Sequence, residues 1–339
     1  MSLTEFSGLI LVDKPAGPTS FDLVKSLRRL SSQKSVGHIG SLDPLATGLM
    51  GLLLGPATKL VPFLMGLTKT YWAKIVLGTL TTTDDVTGEP ISTWSGSFPP
   101  QALVAQALDS FLGQTAQKPP AFSAIKLKGR VAHKAARAGK PLDLPPRSVR
   151  ALDLKLLAYE APEVILRLTV SSGYYVRSLA RDLGLALGLG GGALKELRRE
   201  RIGPFELKEN MALPLDKEEL SQRLLSPRQA LVANPEVLVT QAEAEKLAQG
   251  QAIRPQSLSA RQDEAIPSPI AQGVGSEPSP DAEGDSSLEF VKIIDPQGHL
   301  MALGQWEPRP ERGQPPGPFL RPWRVLRSPL AIGNKTGWN

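Results

Sequence analysis

The chain has 339 residues, 41% hydrophobic and 21% charged, the balance of a folded protein with one large core and room for a smaller second unit. It holds no cysteine, which excludes disulfides, thiolate nucleophiles and cysteine-ligated zinc, and its three histidines, His38, His133 and His299, are too scattered to suggest a metal site. A net charge of +6 favours an anionic partner such as nucleic acid or a membrane surface, although a merely basic enzyme would show the same excess.

No apolar run approaches the roughly 20 residues of a membrane span, and the N-terminus lacks the basic start and long apolar run of a secretory signal. The opening GLILVDKPAGPTS reads as an apolar strand that stops at Lys14-Pro15 and turns through Gly17-Pro18. Thr19 is placed to cap a helix, with Asp22 three residues on as the return half of a capping box. Phe21, Val24 and Leu27 are expected on one face of that helix, with Arg28 and Arg29 leaving it. Next comes GHIGSLDPLATGLM, residues 37–50, in which one histidine and one aspartate stand among glycines in an apolar-flanked stretch. It reads as a loop between a helix and a strand. A plain turn needs only Asp-Pro and a glycine, so Asp43 is the candidate for a carboxylate in use, against the alternative of an ordinary turn starter. Pro44 restricts the backbone of Asp43 to extended geometry, and Gly40 and Gly48 permit tight turns.

From Tyr71, YWAKIVLGTLTTT alternates as a strand, and TDDVTGEP reads as a hairpin connection with Asp84 and Asp85 as solvated acids. QALVAQALDSFLG, 101–113, has helical spacing and is expected to stop at Gly113. The following stretch carries Lys118, Lys126, Lys128, Arg130, Lys134, Arg137, Lys140, Arg147 and Arg150; a protruding element that touches phosphates and a solvated surface arm explain it equally well. In VILRLTVSSGYYVRSLARDLGLALGLGGG, Val164, Leu166, Leu168 and Val170 share one strand face, then Leu179, Leu183 and Leu187 recur at every fourth residue of a helix. Tyr174, Tyr175 and Arg177 sit at the junction, where a cation is poorly placed for the helix dipole, which favours a specific use. GLGGGA, 188–193, satisfies a dinucleotide pattern but follows a helix and not a strand, so a glycine-rich link between two helices is expected, with LKELRRERIGPFEL as a short helix and a turn. Further on, VLVTQAEAEKLAQGQAIRP reads as strand, helix and turn, and residues 256–287, rich in Ser, Pro, Gly, Ala and acids, as disordered. LEFVKIID and HLMALGQWE, divided by a PQG turn, read as strands ahead of a second proline-rich patch.

Six stretches resemble a known family in order. GHIGSLDPLATGLM resembles the central motif of the TruB family of tRNA pseudouridine synthases, close to GH-x-G-[ST]-LDP-x-A-[ST]-G. GLILVDKPAGPTSFD resembles its N-terminal Lys-Pro motif, TKTYWAKIVLG the strand with an active-site tyrosine, and QKPPAFSAIKLKGRVAHKAARAG its RNA-contacting insertion. SSGYYVRSLARDLG resembles the motif bearing an active-site arginine, and LKELRRERIGPF the last core motif. The agreement spans about residues 7–215, and collinearity makes it far more specific than any one piece. Ser41, His133 and Tyr174 depart from the usual residues without removing a reactive group. The C-terminal part resembles, more weakly, a PUA domain.

This resemblance implies an α+β pseudouridine synthase fold, a mixed, mainly antiparallel sheet flanked by helices, with a small β-rich PUA-like unit. The expected division is a catalytic unit at 1–233 with the basic insertion at about 115–150, an RNA-binding unit at 234–330 interrupted by 256–287, and a tail at 331–339. It implies isomerisation of uridine 55 in the T loop of tRNA, after the base is flipped out. The bond from ribose C1′ to uracil N1 breaks and the base rejoins through C5, with no redox change, so neither cofactor nor metal is expected. By the same resemblance Asp43 is nucleophile or base and Arg177 its partner; Tyr71 stacks on the target base and helps remove the C5 proton. His38 stands beside the flipped nucleotide, Tyr175 and Leu197 form pocket walls, and Lys14 with Pro15 buttresses the loop. For each there is a plainer reading, such as a core tyrosine, a surface arginine or a wall that is simply core. Attack on C1′, addition to C6 and a glycal path all stay open. The expected enzyme is a cytoplasmic monomer acting on the tRNA T arm, with no membrane and no obligatory protein partner. A guide-RNA-dependent relative, which usually carries a lysine-rich tail unlike WRVLRSPLAIGNKTGWN, and an RNA-binding, tRNA-folding protein without catalysis are the alternatives.

Overall fold

In a computed structural model, the structure describes residues 6–256, 290–307 and 319–325. Apart from Gln256, the segment expected to be disordered lies outside the described residues, as does the tail. In chain order come β1 (Gly8–Lys14), α1 (Ser20–Ser31), β2 (Val36–His38), β3 (Thr47–Leu54), a 3-10 turn at Gly55–Leu60, α2 (Val61–Met65), β4 (Lys69–Leu77), and the hairpin of β5 (Thr79–Thr81) with β6 (Pro90–Thr93). α3 (Gln101–Asp109) leads through β7 (Gly113–Gln117) to a small hairpin, β8 (Lys126–Leu127) with β9 (Arg130–Val131), then α4 (Ala132–Arg137). β10 (Arg147–Glu160), β11 (Glu163–Val170), α5 (Val176–Ala186), β12 (Gly192–Ile202) and β13 (Phe205–Glu206) follow. α6 (Lys217–Arg223), α7 (Pro227–Ala230), β14 (Glu236–Leu238), α8 (Gln241–Ala248), β15 (Val291–Ile294), β16 (Leu300–Glu307) and β17 (Phe319–Val325) complete the described elements.

A nine-stranded sheet takes the order β1-β3-β12-β4-β11-β10-β7, with β2 against β3 and β13 against β12. Its pairings are antiparallel except for β12 with β3, which gives the mixed, mainly antiparallel α+β architecture expected. β3, TGLMGLLL, is a continuous apolar run because both its faces are covered. Met50, Leu52 and Leu54 join one core with Ile10 and Val12, while Leu49 and Leu53 join another with Leu9 and Ile39. A second, four-stranded sheet, β14-β15-β16-β17, has its own apolar cluster around Val237, Leu247, Ile293 and Leu320. Its Phe290, Ile294, Leu300 and Leu303 complete the cluster of Leu9 and Leu60, so the smaller sheet docks beside the 3-10 turn; Phe290 meets Phe63 edge to face at 5.0 Å. Among the described residues no helix is long and apolar enough to cross a membrane.

Several local expectations hold. β1 ends at Lys14, and Thr19 caps α1 in a full capping box with Asp22. Val164, Leu166, Leu168 and Val170 are all buried. Three change. Phe21 is 53% exposed and Leu23 takes its place on the buried face with Val24 and Leu27; the Phe21 ring lies instead beside Lys25 and Arg28, one and two turns on. α3 stops at Asp109, and Gly113 opens β7. Residues 192–202 form no helix. They are β12, between β3 and β4, and the register shifts at Leu194/Glu196 and Arg199/Arg201 break the two-residue alternation that would have marked a strand. Good helix formers such as Leu, Lys and Arg are overridden there by pairing on both sides. The GLGGGA stretch accordingly joins a helix to a strand.

Candidate active site

Residues 39–46 form a loop between β2 and β3, so a strand and not a helix precedes it. Its shape is set by side chains from elsewhere that grip its backbone. Lys14, fully buried at the end of β1, donates to the carbonyls of Ala46 at 2.6 Å, Pro15 at 2.9 Å and Pro44 at 3.4 Å. Burial holds its ammonium below the usual lysine range, against the opposing pull of Asp43. Ser20, in the first turn of α1, exchanges two hydrogen bonds with Leu42: its hydroxyl donates to the carbonyl at 3.0 Å and accepts from the amide at 2.8 Å. Gly17 N donates to Pro44 O at 2.8 Å. From β12, Arg199 donates to the carbonyls of Leu49, Gly40 and Ser41 at 2.6, 3.2 and 3.5 Å. Gly48 has φ +103°, and a Cβ there would run into the backbone of Arg199, so only glycine lets β3 pass β12 at this point.

This scaffold presents the Asp43 side chain, 40% exposed, to Arg177, which is 6% exposed. Arg177 Nη2 donates to Asp43 Oδ1 at 3.2 Å, and Nε lies 2.9 Å from Oδ2 as an ion-pair contact outside hydrogen-bond alignment. The same guanidinium donates to Thr83 O at 3.0 Å and Phe122 O at 2.9 Å, and its Nη1 lies 3.7 Å from Asp85 Oδ2. Arg177 therefore ties three separate segments to the start of α5. Desolvation raises the Asp43 pKa above the ordinary carboxylate range; Arg177 is the main opposing influence, while Asp85 pushes the same way as burial. The Asp43 carboxyl thus keeps a path to solvent while burial desolvates it in part.

The expectation that Asp84 and Asp85 are solvated acids is corrected by the structure: they are 7% and 4% exposed. The hairpin end folds back on α5, where arginines compensate the buried charge. Asp85 Oδ1 also accepts from Thr83 Oγ1 at 2.8 Å and from Thr87 N at 3.0 Å.

The other candidates fall as follows. Tyr71 is buried on β4, opposite Leu168 on β11 and Arg199 on β12, in the same apolar cluster as Leu42, Tyr174 and Leu197. Tyr175 stands at the N-cap position of α5, without a side-chain capping bond, and is clamped by Gln117, which accepts from its amide at 2.8 Å and donates to its carbonyl at 3.1 Å. Burial pushes its phenol up, and both Arg177 and Asp43 act on it electrostatically, so it stands at the same site. His38 ends β2; its Nδ1 accepts from Gly40 N at 3.3 Å, and burial with the nearby Arg199 lowers its pKa, which favours the neutral ring. Sequence reasoning missed Asp85, Asp84, Lys69 and Arg199 as residues of the site. Lys69 is buried beside Gly40, donates to Met65 O and Leu67 O, and is lowered by desolvation to about 7. Adjacent acids at a turn were the visible trace of Asp84 and Asp85; nothing local marks Arg199. Among the described residues no three His, Asp or Glu side chains converge as a metal site requires.

The fold is that of pseudouridine synthases. A solved chain of a Cbf5-Nop10-Gar1 complex superposes with a TM-score of 0.65 at 23% identity, covering 95% of this chain and 85% of that one. A chain from an H/ACA RNP bound to a substrate RNA containing 2′-deoxyuridine gives 0.62 at 21%, covering 94% and 84%. Residues 28–176 match the family model described as TruB family pseudouridylate synthase, N terminal domain. The tRNA pseudouridine synthase B of Corynebacterium efficiens is 42% identical over 258 residues, 74% of this chain and 86% of the relative. That of Xanthomonas oryzae pv. oryzae is 37% identical over 299 residues, 86% and 92% of the two chains. The chain belongs to the TruB family of pseudouridylate synthases, and so is an isomerase.

Proposed function

We propose that this protein isomerises uridine 55 in the T loop of tRNA to pseudouridine, with Asp43 as nucleophile or base. The observation that carries the reading is the two-point contact of Arg177 on a partly open, desolvated Asp43. Arg177 opposes the effect of burial on the carboxylate and fixes its direction through one hydrogen bond and one ion-pair contact. Burial strips the carboxylate of water, which suits it to attack on C1′ or C6 or to proton removal from the ribose. Tyr175 and Leu197 serve as walls for the flipped uracil, while Tyr71 stacks on it and assists loss of the C5 proton. His38 fills the space the base vacates, by stacking or hydrogen bonding. Lys14 holds the loop. The reaction gains and loses no electrons, so these side chains suffice without cofactor or metal. Residues 1–233 act as the catalytic unit, the basic stretch at about 115–150 closes on the T arm, and the unit at 234–330 adds RNA contacts. The protein works as a cytoplasmic monomer without a protein partner.

Purified protein with unmodified tRNA and nothing else added tests this. Pseudouridine at position 55 is expected, and Asp43→Asn should lose on the order of 10⁴-fold or more in single-turnover rate. Full activity of Asp43→Asn would remove Asp43 from the chemistry; turnover only with a guide RNA would favour the guide-dependent alternative.

A further inference from the structure

One turn beyond Arg177 on α5, Arg181 makes a second set of contacts that the proposed chemistry does not use. Its Nη1 donates to Asp84 Oδ2 at 2.8 Å, its Nε to Asp182 Oδ1 at 2.8 Å and its Nη2 to Lys118 O at 3.0 Å. Lys118 O also accepts from Ser178 Oγ at 2.9 Å. Asp84 and Arg181 are nearly buried, 11% and 16% exposed at the side chain. Asp84 holds a left-handed backbone at φ 59°, uncommon for a residue other than glycine and sustained only when its surroundings fix it.

Two arginines four residues apart on one helix thus grip two adjacent aspartates at one hairpin end. Arg177 reaches on to Asp43, and Arg181 does not. The segments Arg181 holds are the ones that supply acceptors to Arg177. Residue 84 lies between Thr83, whose carbonyl accepts from Arg177, and Asp85, whose carboxylate faces it. Lys118 stands four residues before Phe122, whose carbonyl also accepts from Arg177, at the root of the basic segment.

We infer that Arg181 and Asp84 form a positioning pair, which locks the 83–85 turn and the root of the basic segment onto α5 so that Arg177 is aimed at Asp43. This rests on the reading of Asp43 as the reacting carboxylate. Arg177 has more acceptors around it than Asp43 alone provides. If the turn or the 118–122 segment shifts, the guanidinium follows them, and the carboxylate loses part of its two-point hold. The groups acting on Asp43 are Arg177 from α5, Asp85 from the hairpin and Lys14 from β1. Weakening the first leaves burial and Asp85 to push the carboxyl up, so the acid limb of the rate profile moves to higher pH.

The test is single-turnover conversion of T-arm RNA by Arg181→Met, Asp84→Asn, the double variant and Arg181→Lys, beside RNA affinity and thermal melts. Arg181→Met and Asp84→Asn are each expected to slow the step about tenfold at saturating RNA, with affinity changed less than about twofold and the acid limb moved upward. The double variant should be no slower than the worse single, because one pair is broken once. Arg181→Lys should recover part of the rate. Asp84→Asn preserves side-chain volume and an acceptor oxygen, and carries the test if Arg181→Met does not fold. Folded single variants with the wild-type rate and pH profile overturn the inference, as does a double variant whose loss is the product of the two singles. Wild-type protein that makes no pseudouridine would instead sink the activity itself; normal wild-type turnover with unaffected variants sinks the pair alone.

Discussion

The loop around Asp43 and the basic segment from Lys118 to Arg147 are built on opposite plans. In the loop, the carbonyls of Gly40, Ser41, Leu42, Pro44 and Ala46 all accept hydrogen bonds from side chains or backbone outside it. Two of the gripping residues, Lys14 and Arg199, are almost wholly buried cations that spend their charge on peptide carbonyls. In the basic segment, Lys126, Lys128, Arg130, Lys134, Arg137 and Lys140 are exposed, the strands are two residues long, and the Lys118–Asp143 ion pair lies in solvent, where it contributes little. Ala132, Ala135 and Leu144 give that segment a small apolar anchor. The difference suits the roles proposed for the two regions. Bond making needs one carboxylate held to within a fraction of an ångström. Attraction to phosphates needs charge near a surface and tolerates movement.

Breaking the rigid side should cost most. Arg177→Met is expected to lose about 10²-fold or more in single-turnover rate at saturating RNA. The sign with pH is fixed. The proposed chemistry uses Asp43 in its ionised form; burial raises its pKa, and removing its main opposing cation raises it further. The loss should therefore deepen as pH falls, and a pH-independent loss in the rate profile would contradict the assignment. Changing the exposed-charge side should act on binding instead. Lys126, Lys128 and Arg130 replaced together by alanine should weaken RNA binding and lower the slope of log affinity against log salt by about 0.7–0.9 for each phosphate these cations neutralise. The rate at saturation should stay near wild type; a fall in that rate with unchanged salt slope would reverse the comparison. The smallest effect sharpens how far the scaffold reaches. Thr19→Ala removes the α1 capping box next to Ser20, and a melt should show a loss of about 1 kcal/mol with little change in rate.

What could be read in the sequence was what depends on near neighbours. β1, the α1 cap, β4, the apolar face of β11 and the strand-to-helix junction at Tyr175 follow from period, cap chemistry and breakers within a few residues. Collinear motifs singled out Asp43 and Arg177, 134 positions apart, and the fold brings them into contact. The misreadings share one cause. β12 looked helical because two register shifts hide its alternation, and only its place between β3 and β4 makes it a strand. Asp84 and Asp85 looked solvated because an acid at a turn normally is, until α5 lays two arginines over them. Arg199 carries no local mark at all, yet it is buried beneath the loop around Asp43, satisfied by carbonyls from both sides of that residue. Periodicity and capping are settled by bonds a few residues long, so sequence alone determines them. Whether a charged side chain is buried, and against what, depends on which distant strands and helices meet there, and only the tertiary structure decides that.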